Sequence, residues 1–218
     1  MKLLSKILIW FCISILASGV SAENFSAKYK VSTKNLTIGE LFWNLNKNDK
    51  TYKLNIELKS RGLLSSLFKF SGSYTASGFL KDGNLIPLHY TQKWLTQKKK
   101  RNVRITFENN EISSLLQQPS EKEFSRINLG LLKNYVDPLT SFIKLLSGIS
   151  ESKTIDGRRI YILTLIEENK DKNIKTYGIK EYVNIWTDHK RNNLKRISII
   201  NKPNSFLPEA IYINFNGQ

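Results

Sequence analysis

The chain has 218 residues, with 34 Lys and Arg against 18 Asp and Glu, and a net charge of +16 at neutral pH. One cysteine excludes a disulfide framework and a cysteine-built metal site, and the length suits one sizeable core. The cations are 26 Lys and only 8 Arg, whereas nucleic-acid readers favour the bidentate Arg fork, so nucleic acid is not an expected partner. Two readings of the charge stand: an anionic partner, or an AT-rich coding bias, to which 21 Asn and 5 Ala also point.

Residues 1–22 have the organisation of an export signal. Lys2 and Lys6 precede the apolar run Ile7 to Leu16, about half the ~20 residues needed to span a bilayer. Val20 and Ala22 then supply the small residues at −3 and −1 of a signal-peptidase site. Cleavage after Ala22 is expected to leave 23–218 as a single domain in the periplasm, with no transmembrane segment. Its charge is 16 − 2 = +14 once Lys2 and Lys6 are gone. Cys12 follows Ile-Trp-Phe rather than the small residues of a lipoprotein site, so no lipid anchor is expected.

From Phe25 to Leu116 the pattern has period two. "TYKLNIELKS" puts Tyr52, Leu54, Ile56 and Leu58 on one face and Lys53, Asn55, Glu57 and Lys59 on the other, the mark of a half-buried strand. Leu41, Trp43 and Leu45 repeat it. Asn48-Asp49, Asp82-Gly83 and Asn109-Asn110 are hairpin-turn pairs. About seven antiparallel strands follow from this, with "GLLSSLFKF" as an interruption that forms a helical turn or a flap. "KWLTQKKKRNVR", Lys93 to Arg104, holds six cations beside Tyr90 and Trp94. It is either a solvated hairpin tip guarding an edge or a contact for anionic envelope polymers or membrane headgroups.

A helix interrupts the strands at "DPLTSFIKLLSG". Asp137 is a favoured N-cap and Pro138 suits the first helical position. Leu139, Phe142, Ile143 and Leu146 share one face, Thr140, Ser141, Lys144 and Ser147 the other, and Gly148 is placed to terminate the helix. Such a stripe must cover something, and a curved sheet is the available partner. "RIYILTLIE" then reads as a strand buried on both faces, entered through the turn Asp156-Gly157. "KTYGIKEYVNIWTD", "LKRISIIN" and "LPEAIYINFN" complete a total of ten to eleven strands.

"DPLTSF" (Asp137 to Phe142), "DGRRIY" (Asp156 to Tyr161), "DGNLIPLHY" (Asp82 to Tyr90) and "LPEAIYI" (Leu207 to Ile213) resemble, in order and spacing, the family designated domain of unknown function 3108, exported proteins mainly of proteobacteria. Asp137, Pro138, Asp156, Gly157 and Tyr161 carry that resemblance. It implies an architecture like the half-barrels of periplasmic lipoprotein carriers, an incomplete antiparallel barrel around a helical lid. Fold of this kind does not dictate activity.

No catalytic constellation is visible: His89 and His189 lie far apart, and there is no HExxH, Gly-rich phosphate loop or GxSxG elbow. Neither an enzyme nor a metal or other cofactor is expected. The fold expected is mainly β, a single curved antiparallel sheet or half-open barrel with the capped helix on its concave face. Trp43, Trp94 and Trp186 are either core or, with Phe142 and Leu146, the lining of a site for a lipid or acylated peptide. Glu181 is either a charge facing that interior or a solvated edge residue. The alternative function is an envelope scaffold with a filled core and a basic contact surface.

Overall fold

The computed structural model describes residues 22–34, 36–62, 65, 69–186 and 194–216. Residues 1–21, nearly all of the expected export signal, most of "GLLSSLFKF" and His189 lie outside the described residues. Seven strands form the first sheet: β1 (Glu23–Thr33), β2 (Leu36–Lys47), β3 (Thr51–Ser60), β4 (Phe70–Lys81), β5 (Asn84–Thr96), β6 (Lys100–Glu108) and β7 (Glu111–Gln118). Each pairs antiparallel with its neighbour in sequence. Period-two patterning has the consequence expected of it: Trp43, Leu45, Tyr52, Leu54 and Ile56 are buried, while Lys53 and Glu57 face out. Asp82 and Gly83, and Asn109 and Asn110, take positive φ, as the tightest hairpins require. At Asn48 the device differs, its side chain accepting from the N–H groups of Lys50 and Thr51.

The later strands do not extend this sheet. β8 (Glu151–Ile155), β9 (Arg159–Asn169), β10 (Ile174–Asn184), β11 (Leu194–Ile200) and β12 (Ala210–Phe215) make a second antiparallel sheet in the order β12-β11-β10-β9-β8. The fold is mainly β with one α-helix among the described residues, and its twelve strands divide between two sheets rather than running on in one. The long connection from Gln118 to the helix makes the separation: it passes a 3-10 turn at Leu129–Leu131, and its Val136 bridges Thr154 in parallel on β8. β9 is buried on both faces over Arg159 to Leu163, as its continuous apolar run demands.

The helix α1 (Pro138–Leu146) lies between the two sheets. Leu139 and Ile143 belong to the core of the first sheet, Leu145 to that of the second, and half-buried Phe142 and Leu146 pack against both. The apolar stripe therefore does not meet one concave face alone. Thr140 and Ser141, on the polar side, are fully buried too. The Thr140 hydroxyl is 2.7 Å from Tyr52 Oη, and Thr154 Oγ1 donates to Ser141 Oγ over 2.8 Å. Gly148, at φ 90°, ends the helix: its N–H meets Leu145 O and the Ile149 N–H meets Lys144 O, the double closure of a Schellman motif.

Candidate functional site

Asp137 caps α1 from a fully buried position. Its Oδ1 accepts from the N–H groups of Leu139 and Thr140, each at 2.9 Å, and its Oδ2 accepts from the Thr140 hydroxyl. Burial outweighs these bonds and lifts its carboxyl to a pKa of about 6. The Tyr52 phenol, beyond Thr140, is pushed well up by the same burial and by the neighbouring Asp137 charge. This network is enclosed by core and positions the helix; it presents no group to a ligand.

The β8–β9 turn is fixed with similar care. Asp156 Oδ1 accepts from the N–H groups of Arg158 and Arg159 at 2.8 and 2.7 Å, and burial raises its pKa. Gly157 has φ 88°, and a Cβ there would lie 2.5 Å from Val103 Cγ1, so only glycine lets the turn seat on β6. Its carbonyl accepts from Gln117 Nε2 at 2.7 Å and from Trp186 Nε1 at 3.1 Å. The turn is thereby pinned from both sheets at once.

That pinned turn walls a cleft. On the core-facing side of the first sheet, cross-strand rows can be followed through the register. One row, Leu45, Leu54, Ala76, Tyr90, Ile105 and Leu115, is apolar throughout except for the Tyr90 hydroxyl. The next, Trp43, Ile56, Tyr74, Gln92, Val103 and Gln117, mixes in amides, and the outermost, Leu58, Gly72, Trp94 and Arg101, reaches the rim. Over this rim the two sheets stand apart and leave a cavity of about 530 Å³. Tyr74, Gln92, Trp94, Arg101 and Gln117 form its floor, and Asp156, Arg158, Arg159 and Phe215 come from the second sheet.

Trp94 dominates the floor. Its ring stacks on Phe70 at 5.6 Å with 14° between planes. Gly72 across the ladder allows this, since a Cβ there would come within 3.0 Å of the indole. Arg158 donates to Glu121 over 3.3 Å and Arg159 Nε to Asn184 Oδ1 over 3.1 Å, so both guanidinium groups serve the wall. Arg101 and Lys99 have no ion-pair partner among the described residues. The Tyr74 phenol is pushed up by burial to about 12 and stays a neutral donor. Aromatic surface, side-chain amides and unpaired cations together suit binding of a partly apolar anion.

The model of a family described as protein of unknown function, DUF3108, matches residues 27–203. The chain belongs to the DUF3108 family. Comparisons with curated proteins and with solved structures gave no significant match.

The segments that carry the family resemblance are construction devices in this fold. Asp137 and Pro138 start α1, Asp156 and Gly157 make the pinned turn, and Tyr161 lies in the second core against Tyr182 at 5.8 Å. Of the residues nominated for a ligand, the structure places Trp94 alone in the cleft. Trp43 is buried with its ring 5.5 Å from Phe142, and Leu146 is packed between the cores. Trp186 sits behind the turn it anchors. Glu181 is exposed, at φ 50° in a bulge where β10 shifts register against β9. His89 is exposed on β5. Among the described residues no three His, Cys, Asp or Glu side chains cluster as a metal site would need. Tyr74, Gln92 and Gln117 escaped the sequence reading. Each continues an apolar row across neighbouring strands, a signal that needs the register before it can be read.

Proposed function

We propose that this DUF3108 protein is a non-catalytic binding module of the cell envelope, exported to the periplasm, which holds a lipid or an acylated peptide at the rim between its two sheets. The observation that carries this reading is the cleft of about 530 Å³ floored by Trp94, within the ~300–1,000 Å³ of small-molecule sites. The apolar part of the ligand lies on Trp94 and Tyr74, and its anionic group faces Arg101. The space beneath α1 is occupied by Leu139, Ile143 and the first-sheet core, which is why the rim is the preferred location. That same packing favours the second reading, a scaffold whose interior is closed.

Native mass spectrometry of gently extracted protein, with fluorescent fatty-acid titration of the wild type and of Trp94→Ala, separates the two. The binding module gives a retained mass, and Trp94→Ala weakens titration by about tenfold or more, the loss of an aromatic contact of ~1.5 kcal/mol. Repeated recovery of ligand-free protein that does not respond to fatty acid leaves the scaffold.

A further inference from the structure

The meander sorts its turns between two ends. At one end lie Lys34 after β1, Arg61 and Lys69 between β3 and β4, and the β5–β6 hairpin with Lys98, Lys99, Lys100 and Arg101. At the other lie the turns bearing Lys47, Asp49 and Lys50, then Lys81 and Asp82, then Glu108 and Glu111. The second end mixes signs, and its Lys47 pairs with Glu23 and its Glu111 with Lys133. At the first end Arg61 is paired with Glu40. Lys34, Lys69, Lys98, Lys99, Lys100 and Arg101 have no ion-pair partner among the described residues. Coding bias spreads lysine without regard to topology, so it does not account for a pole.

Apolar side chains stand exposed among these cations. Leu36 opens β2 at 57 % exposure, and Leu95, opposite Lys100 in the ladder, is 52 % exposed. Phe124 is 97 % exposed on the loop that leaves β7 at this end; the loop also carries Glu121, paired with Arg158, and exposed Lys122 and Glu123, and is tied down through Glu121 and the Arg126 N–H. A trough of about 480 Å³ between Arg61, Lys69, Phe70 and Leu95 links charged and apolar parts. A polyanionic polymer is matched by charge alone. Cations interleaved with outward Leu and Phe match a bilayer interface, where headgroups meet charge and side chains enter the acyl boundary.

We infer that the pole formed by Lys34, Lys69 and the Lys98–Arg101 hairpin docks the protein on an anionic lipid surface, with Leu95 and Phe124 entering the interface. The inference goes beyond occupancy of the cleft and does not depend on it.

The test is co-sedimentation of purified protein with vesicles of phosphatidylglycerol and phosphatidylcholine, and of phosphatidylcholine alone, at 0.1 M salt. Binding is expected only with the anionic vesicles. Lys34→Gln/Lys98→Gln/Lys100→Gln is expected to lower partitioning about 100-fold, at about fivefold per cation near a charged surface. Lys50→Gln/Lys81→Gln, at the opposite end, serves as the control for general charge and is expected to change it less than about threefold. Leu95→Asn/Phe124→Ser should weaken vesicle partitioning at least tenfold while leaving affinity for soluble dextran sulfate unchanged. Equal losses from the two lysine sets overturn the pole. Insensitivity to the Leu95 and Phe124 changes overturns the lipid surface in favour of a polyanion. Loss on Trp94→Ala without loss on the lysine changes assigns vesicle binding to the cleft and overturns the inference while leaving the binding module intact.

Discussion

Replacing Asp137 by Asn tests whether the cap of α1 is a buried acid rather than an exposed one. The ordinary aspartate pKa of 3.8 is raised by burial to about 6, and each tenfold change in proton affinity is worth about 1.4 kcal/mol, so the difference amounts to about 3 kcal/mol. The sign follows from linkage: a carboxyl whose folded pKa is raised contributes stability that is complete below pH 3.8 and is lost as pH rises through 6. Asn retains an acceptor for the Leu139 and Thr140 N–H groups, and its amide can donate to Thr140 Oγ1, which then turns its proton to Tyr52. Asn has nothing to titrate. Urea denaturation of both proteins from pH 4 to 7.5 should therefore show the wild type losing about 2 kcal/mol of that difference relative to Asp137→Asn across pH 4–7. Taking the difference removes Asp156, whose raised pKa acts in the same direction. A difference that stays flat, or that grows in favour of the wild type as pH rises, would refute the buried-acid account. Asp137→Ala leaves two enclosed N–H groups without acceptors and should cost about 3 kcal/mol, above the ~1 kcal/mol of an exposed cap.

Phe142→Ala removes the ring against Trp43 and should cost about 3 kcal/mol by chemical denaturation, with fatty-acid titration unaltered because the cleft lies elsewhere. Parallel weakening of both would show the helix to be a lid. Gly157→Ala combines a left-handed backbone with a Cβ 2.5 Å from Val103 Cγ1 and should lower stability by more than about 2 kcal/mol; an unchanged melting temperature would mean that the turn is not seated on β6. Leu163→Asp places a carboxylate at a position 3 % exposed in the second core, and circular dichroism should report an unfolded chain. Edman sequencing of the protein recovered from cells should begin at Glu23, and a start at Met1 would refute processing after Ala22.

What the sequence disclosed and what it withheld divide along a physical line. Tyr52, Leu54 and Ile56 alternate within one strand, and Asp137, Pro138 and Gly148 act within one helix; these are local rules, and each held. The division into two sheets depends on where residues 119–136 carry the chain, and nothing in their composition states a direction. Periodicity puts Thr140 and Ser141 on a polar face, yet a face is solvent-exposed only if no second layer covers it. The cleft was harder still. Gln92 and Gln117 look like ordinary outward amides until pairing places them in one row with Trp43 and Val103. Aromatics are scarce enough to be weighed singly, yet nothing in the sequence around Trp94 and Trp186 says that the first lines the cleft while the second anchors a turn.

The position of α1 between the sheets bears on how the protein is made. Strands β1 to β7 pair only with sequence neighbours, so they have all their strand partners once Gln118 has left the ribosome. Their apolar face, with Trp43, Leu54 and Ile105 at its centre, is covered only by residues that follow: Leu132 and Tyr135, then Leu139 and Ile143 of α1, then Ile155, Ile160, Ile185 and Leu207. At ~5–20 residues per second, that interval lasts on the order of seconds, long enough for a finished but half-naked sheet to meet another. A holding factor, or a delay of folding until the later residues are present, as passage of an unfolded chain across a membrane would impose, closes the interval. The length of that interval is set by the late place of α1 and of the second sheet in the order of synthesis.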